Sequence, residues 1–151
     1  MSSRPPHENL SLLLSIVAHV TRETQEQRLA ELGLGVREHV VLNVIDAGVP
    51  TQLAIAAKAG LDKSTLIPVL DRLEGKRLIE RHPDPKDRRA RVVTMTDAGH
   101  RALADSFHTV TATEDDLLAD LTPAEQTQFR GFLRRIVEGR MSSTSVPGSC
   151  L

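Results

Sequence analysis

The sequence predicts a mainly helical protein whose elements follow in the order α-α-α-α-β-β-α-α, with a helix-turn-helix near its centre. Apolar side chains recur at helical spacing in the long segments toward both ends of the chain. In the middle, two short helical segments flank a tight glycine-containing turn, and two short stretches rich in β-branched residues follow them. The 151 residues suit one domain that is large enough to bury a core.

The first four helices are bounded by turn and cap residues. The first is predicted over residues 9–32 and the second over 36–47, with "GLG" between them. Thr51 is placed to cap a short third helix over 52–59, which Gly60 ends. Asp62 is likewise placed to cap a fourth helix over 63–75.

A two-stranded ribbon is predicted after the fourth helix. Residues 77–82 and 91–96 are short and rich in β-branched side chains, and the basic segment "PDPKDRRA" lies between them. Two strands alone are marginally stable, so the ribbon must pack against the helices.

Two more helices follow the ribbon. Thr96 is placed to cap a helix over 97–119, and "TPAE" at 122–125 forms a capping box for the last helix. Gly139 is predicted to end that helix, and the Ser-rich residues 140–151 are predicted to be a disordered tail.

The apolar surface divides the chain into regions. Residues 9–34 and 120–139 carry more apolar surface than a small helix-turn-helix can cover, which predicts a homodimer held together by these terminal helices. Residues 35–119 then form the helix-turn-helix, the ribbon and a linker helix.

Charge is distributed unevenly along the chain. The formal net charge is −1, yet residues 58–101 hold 11 Lys and Arg against 7 Asp and Glu. A basic middle segment can bind a polyanion, although a solvated surface of mixed charge would look the same by counting.

Several classes of protein are disfavoured. No apolar run approaches a membrane span, and the N-terminus lacks a signal-peptide core, so we expect a cytoplasmic protein without a membrane partner. Motifs for a nucleophile, a metal cage or a cofactor loop are missing, so neither an enzyme nor a cofactor is expected. Cys150, the single cysteine, is interpreted as an inert thiol.

Residues 64–103 carry a family likeness. The blocks "ST…LDRLE", "LIER", "DPKDRR" and "VTMTDAG" occur in this order and spacing, and together they resemble the winged helix-turn-helix core of the MarR (multiple antibiotic resistance regulator) family of bacterial transcription factors. The resemblance implies a homodimer that binds a pseudo-palindromic double-stranded DNA operator, with one helix per protomer in a major groove and a β-wing in the minor groove. Many members are repressors released by small molecules.

The fourth helix resembles the family's recognition helix. Lys63, Ser64 and Thr65 at its start would offer donors to phosphates or base edges, and the Thr65 methyl suits thymine. Arg72 would lie near the DNA backbone, or would form a surface salt bridge instead. Pro68 departs from the family pattern: it predicts a kinked helix or an irregular first turn, and base recognition through shape or apolar contact.

The wing resembles the family's "D-x-R" element. Asp87 would orient the turn and Arg89 would enter the minor groove, unless Arg89 is instead held by Asp87 as a structural pair. Lys86, Arg88 and Arg91 would contact phosphates or lie along the ribbon.

An effector site is implied by resemblance alone. Candidate residues on the first two helices are His19, Arg22, Arg37 and His39, each of which could equally be an ordinary solvated helix residue. Zinc-sensing relatives place ligands in comparable helices, where this chain has Glu38, His39 and His108, but Ala112 stands where a further histidine would be needed, and no metal is predicted.

One alternative function stays open from the sequence. The winged helix could serve as a protein-interaction module without specific DNA binding, with the basic loop as a solvated surface.

Overall fold

Six helices and one two-stranded sheet make up residues 9–85, 87 and 90–141, which the computed structural model of the protein describes. The predicted order α-α-α-α-β-β-α-α and the mainly helical fold class are confirmed. The elements are α1 Leu10–Glu31, α2 Val36–Asp46, α3 Gln52–Ala59, α4 Lys63–Gly75, β1 Ile79–Pro83, β2 Arg91–Met95, α5 Asp97–Leu117 and α6 Pro123–Met141.

Side chains cap the helices where the sequence predicts it. The side-chain oxygens of Thr51, Asp62 and Thr96 each accept a hydrogen bond from the main-chain N–H three residues later. Thr122 and Glu125 form the predicted capping box: the Glu125 carboxylate accepts from the Thr122 N–H at 2.8 Å, and the Glu125 N–H donates to the Thr122 hydroxyl. The hydrogen bonds that the Glu125 carboxylate accepts from the Thr122 N–H and the Thr122 hydroxyl lower the pKa of Glu125.

Helix α4 ends at Gly75, as predicted, but the turn that follows it differs from the prediction. The N–H of Leu78 donates to the carbonyl of Leu73, the N–H of Arg77 donates to the carbonyl of Glu74, and Arg77 has a φ of 60°. This is a Schellman-type end with arginine where glycine is common. Because it occupies residues up to Leu78, β1 begins at Ile79 instead of residue 77.

The core lies between α2, α3, α4 and the inner face of the ribbon. Its fully buried side chains come from all four elements and include Leu42, Ile55, Leu70, Leu73 and Ile79. Burial of this apolar surface is the main favourable term that holds the four elements together.

The ribbon is attached to the helix-turn-helix by main-chain hydrogen bonds. Its strands are antiparallel, with Ile79 opposite Met95 and Pro83 opposite Arg91. Val92 forms a β-bridge with Thr51, and the N–H of Val93 donates to the carbonyl of Pro50 at 2.8 Å. The ribbon therefore packs against the helices, as its marginal stability requires.

The C-terminal helix is longer than predicted. Residue Gly139 was expected to end it, but α6 continues through Gly139 to Met141, so that prediction is wrong. A glycine ends a helix when it adopts a left-handed conformation, and Gly139 has no positive φ. The rest of the predicted tail, 142–151, lies outside the described residues. In the part of the chain described, no helix is both long and apolar enough to cross a membrane.

Candidate nucleic-acid interface

Helix α4 presents one face to solvent and buries the other. Leu66, Val69, Leu70 and Leu73 are buried in the core. The side exposed to solvent carries Lys63, Ser64, Pro68, Asp71 and Arg72. The second helix of the helix-turn-helix is thus accessible along its length, as contact with a DNA groove would require.

The start of α4 is organised by Asp62. Its carboxylate accepts from the Thr65 N–H at 2.8 Å, from the Ser64 hydroxyl at 2.6 Å and from the Thr65 hydroxyl at 3.1 Å. The hydrogen bond from the Ser64 side chain is the largest cause that lowers the pKa of Asp62, followed by those from Thr65. Both hydroxyl hydrogens are therefore already used within the protein.

Pro68 lies inside a continuous helix. Helix α4 runs from Lys63 to Gly75, and its first turn is regular because the N–H of Leu66 donates to the carbonyl of Asp62 at 3.0 Å. An irregular first turn, one of the two predicted consequences of Pro68, is not found. Proline has no N–H, so the carbonyl of Ser64 lacks its usual donor four residues later.

Arg72 contacts an acidic side chain from α2. Its Nε donates to Glu38 Oε1 at 3.2 Å, and Lys76 Nζ lies 2.7 Å from Glu38 Oε2. The Glu38 carboxylate is buried and also accepts from the Gly35 N–H. This salt bridge joins α2 to the exposed face of α4, and the contact of Arg72 with the DNA backbone stays a prediction.

The wing, which we define as residues 79–95, is closed by hydrogen bonds at its tip. The Asp84 N–H donates to the carbonyl of Ala90, and the Ala90 N–H donates to the carbonyl of Asp87. Arg91 is exposed at the start of β2. Lys86, Arg88 and Arg89 lie outside the described residues, so their contacts with DNA stay predictions.

Sequence reasoning missed the arginine that joins the wing to α4. Arg81 on β1 donates from Nε to Glu74 at 2.9 Å, and its Nη2 contacts both Glu74 and Asp71. The hydrogen bond from Arg81 lowers the pKa of Glu74, and the same bond raises the pKa of Arg81. The signal was available, because acids at 71 and 74 share a helix face and a basic residue follows on the next strand.

A groove of about 510 Å³ separates α4 from the wing. Its walls include Leu53 from α3, Lys63 and Ile67 from α4, and Arg91 from β2. The groove thus combines apolar and basic side chains with the acidic Asp84 and Asp87 beside the exposed helix.

His39, one of the predicted effector residues, is buried between α2 and α5. Its Nδ1 lies 2.8 Å from the Ser106 hydroxyl, which donates its own hydrogen to the carbonyl of Leu103 at 2.9 Å. The tautomer of the ring decides which of His39 and Ser106 donates in this hydrogen bond. Burial lowers the pKa of His39, so the neutral ring is favoured.

The other three predicted effector residues lie on exposed surfaces. His19 is on α1, 3.6 Å from Glu23, and Arg22 is exposed a turn farther along. Arg37 lines a cavity of about 380 Å³ between α1, α2 and α4, together with Glu38 and others. The structure therefore separates the buried His39 ring from the cavity that Arg37 lines.

Glu38 and His39 have separate protein partners. No cluster of three or more His, Cys, Asp or Glu side chains that could hold a metal ion occurs among the described residues.

A large apolar surface is exposed on the helices outside the core. It is contributed by α1, α5 and α6. Its members are Leu10, Leu12, Leu13, Leu14, Ile16, Val17, Val20, Phe107, Phe132, Ile136 and Val137. Exposed large apolar side chains in this number are typical of surfaces that contact another protein.

An exposed second helix in a helix-turn-helix, followed by a two-stranded wing, defines a winged helix-turn-helix protein. Residues 39–90 match the model of the MarR family. The resemblance to the MarR family is thereby confirmed, by sequence over that segment and by fold over most of the chain.

Three similar proteins illustrate the match. A putative transcriptional regulatory protein for the hcr operon of Thauera aromatica is 36% identical over 86 residues, which are 57% of this chain and 52% of that protein. A MarR-family transcriptional regulator from Rhodococcus sp. RHA1 has a TM-score of 0.78 and 28% identity, covering 89% of this chain and 96% of the other. CouR from Rhodococcus jostii RHA1, bound to p-coumaroyl-CoA, has a TM-score of 0.74 and 29% identity, covering 89% and 95%.

The match thus spans about half the length of the curated relative from Thauera aromatica. The named relatives are transcriptional regulators and not enzymes, which agrees with the prediction that this chain is not an enzyme.

Proposed function

We propose that this chain is a sequence-specific DNA-binding transcription regulator that acts as a homodimeric repressor on a pseudo-palindromic operator. The observation that carries the proposal is the exposed face of α4 beside a wing whose tip is basic in sequence. A helix fits the major groove, and an adjacent ribbon reaches the neighbouring minor groove or backbone. This function would place the protein in the cytoplasm of a bacterium.

Lys63 and Arg91 supply exposed positive charge on either side of the groove between α4 and the wing. Cations in these positions release counterions when they neutralise phosphates, so binding should weaken steeply with salt. For about eight phosphates per dimer, the affinity should fall by orders of magnitude between low and physiological salt.

Dimerisation is supported by the apolar surface on α1, α5 and α6. Leu10 on α1 and Ile136 on α6 are 64% and 60% exposed. Covering such side chains with a second copy would remove them from water, at about 25 cal/mol per Å² of apolar surface. A dimer would also present two α4 helices to two half-sites.

A small-molecule effector is the finer part of the proposal. The relative CouR was solved with p-coumaroyl-CoA. In this chain Arg37 lines a cavity and could pair with an anionic ligand. His19, Arg22 and His39 remain candidates, of which His39 would have to leave Ser106.

DNA binding can be tested by electrophoretic mobility shift with the promoter next to the chain's own gene, over a range of salt concentrations. Arg91→Ala should weaken binding and reduce the salt slope by about two, since each dimer carries two copies of Arg91. Arg134→Ala, which removes the same charge from an exposed site on α6, should leave both unchanged. The wing variant Arg88→Ala/Arg89→Ala should weaken binding further, and a flat salt response would disprove the proposed function.

Dimerisation can be tested by sedimentation velocity. Ile136→Glu places a charge in the apolar surface and should shift the protein toward monomer. Leu53→Glu, at an 82% exposed leucine on α3, is the matched control and should leave the dimer intact.

A further inference from the structure

The central part of the exposed face of α4 carries few hydrogen-bond donors. Thr65, Pro68 and Arg72 lie on one face, because they are spaced by three and four residues on the same helix. In a recognition helix, side chains on this face contact the edges of bases.

Neighbouring acids accept from the hydroxyls on that face and from the Nε–H of Arg72. Asp62 accepts from the hydroxyls of Ser64 and Thr65. Glu38, from α2, accepts from Arg72 at 3.2 Å. Pro68 itself has no N–H.

Apolar atoms remain at the centre of the face. Pro68 is exposed, and the half-buried Thr65 lies one turn before it with its hydroxyl turned toward Asp62. Ile67, next to Pro68, lines the groove toward the wing. An apolar side chain in the major groove has one matching feature on a base edge, the 5-methyl group of thymine.

We propose that Pro68 determines sequence specificity by apolar contact with the 5-methyl group of thymine in each operator half-site. The inference rests on the proposed function, since it names the base feature that the same surface recognises. The Thr65 methyl adjoins the same contact.

Deoxyuridine supplies a direct test, because it has every hydrogen-bonding group of thymine and lacks only the methyl. Duplexes that bind the full chain are first selected from a randomised library. Each thymine of the selected duplex is then replaced by deoxyuridine, one symmetric pair at a time, and the dissociation constant is measured. At one symmetric pair of thymines, the replacement should weaken binding by the parent protein about fourfold for each methyl group removed. This is the effect of one buried methyl-sized group on the dissociation constant.

Three variants separate the contact from other effects. Pro68→Ser restores a main-chain N–H and removes the ring, so it should fold and should bind thymine and deoxyuridine duplexes equally at that pair. Thr65→Ser keeps the hydroxyl that donates to Asp62. It should reduce only in part the ratio of the dissociation constants for the deoxyuridine and thymine duplexes. Pro123→Ser, at an exposed proline on α6, should keep the full ratio of the parent.

The outcomes distinguish the two levels of the proposal. If selected duplexes bind but every deoxyuridine pair is neutral, or if Pro68→Ser keeps the ratio of the parent, the role of Pro68 is overturned and the proposed function stands. If no duplex is enriched, the proposed function fails, and the role of Pro68 fails with it.

Discussion

The carbonyl oxygen of Leu78 occupies the space that a side chain at Gly99 would need. A Cβ atom added to Gly99 would lie 2.1 Å from that oxygen and 2.5 Å from Cγ of Met95. Thr96 holds the same junction, because its hydroxyl lies 2.8 Å from the carbonyl of Arg77 and it accepts from the Gly99 N–H. The start of α5 is therefore pressed directly against the start of β1.

Gly99→Ala should lower the free energy of unfolding by about 3 kcal/mol, because a main-chain oxygen cannot move aside cheaply. Gly75→Ala is the control: a Cβ there meets nothing within 4 Å, and alanine should leave stability unchanged or raise it by up to about 1 kcal/mol. Urea unfolding followed by circular dichroism measures both. Equal stability of the two variants would contradict the close approach.

Arg77→Gly should raise the free energy of unfolding by about 1 kcal/mol. Arg77 holds a φ of 60°, a left-handed conformation that costs a residue with a Cβ about 1–2 kcal/mol. Gly60 has a φ of 66°, so Gly60→Ala should lower the free energy of unfolding by a similar amount. Chemical denaturation of the two variants gives the comparison, and stabilisation of both would rule out this explanation.

His39 should make the protein less stable in mild acid. Its pKa is lowered from 6.5 by burial, so below pH 6.5 the unfolded chain takes up a proton that the folded chain does not. The free energy of unfolding should be highest above pH 6.5 and should fall until the pH reaches the lowered pKa.

Unfolding experiments at a series of pH values test this, together with a nuclear magnetic resonance titration of the His39 ring. His39→Gln, whose amide can still form a hydrogen bond with Ser106, should flatten the dependence on pH in this window. If the free energy of unfolding of the variant depends on pH as steeply as that of the parent, His39 does not cause the dependence.

Arg81 and Glu74 should be energetically coupled at neutral pH. The hydrogen bond from Arg81 lowers the pKa of Glu74 from 4.5, so its stabilising contribution is present above pH 4.5 and is lost as the pH falls through the lowered value. A double-mutant cycle with Arg81→Ala and Glu74→Ala should give a favourable coupling at pH 7 that declines in acid. Coupling that is zero at both pH values would show that the contact between β1 and α4 contributes nothing.

The sequence predicted local structure well because local signals decide it. Thr51, Asp62 and Thr96 cap helices where they were expected to, and Thr122 forms the capping box with Glu125. Each of these hydrogen bonds spans three residues, so the pattern that predicts it lies within one short window.

Longer contacts escaped prediction because their partners are distant in the chain. Glu38 and Arg72 are separated by 34 residues, and His39 and Ser106 by 67. The family resemblance suggested a DNA contact for Arg72 and a ligand contact for His39, whereas the fold supplies each with a protein partner. The prediction that Gly139 ends α6 was wrong for another reason. A C-terminal glycine cap requires a left-handed backbone conformation, which Gly139 does not have.

The tight contact between Gly99 and Leu78 has a mechanical consequence. Since β1 follows α4 within a few residues and its start lies against the start of α5, we expect a displacement of α5 to carry the wing and α4 with it. Helix α5 has 21 residues, about 31 Å at 1.5 Å per residue. With its far end held, a tilt of about 5° displaces the near end by about 3 Å, close to the 3.4 Å between successive base pairs. A small change in the angle of α5 would therefore shift α4 along the DNA by nearly the distance between two successive base pairs.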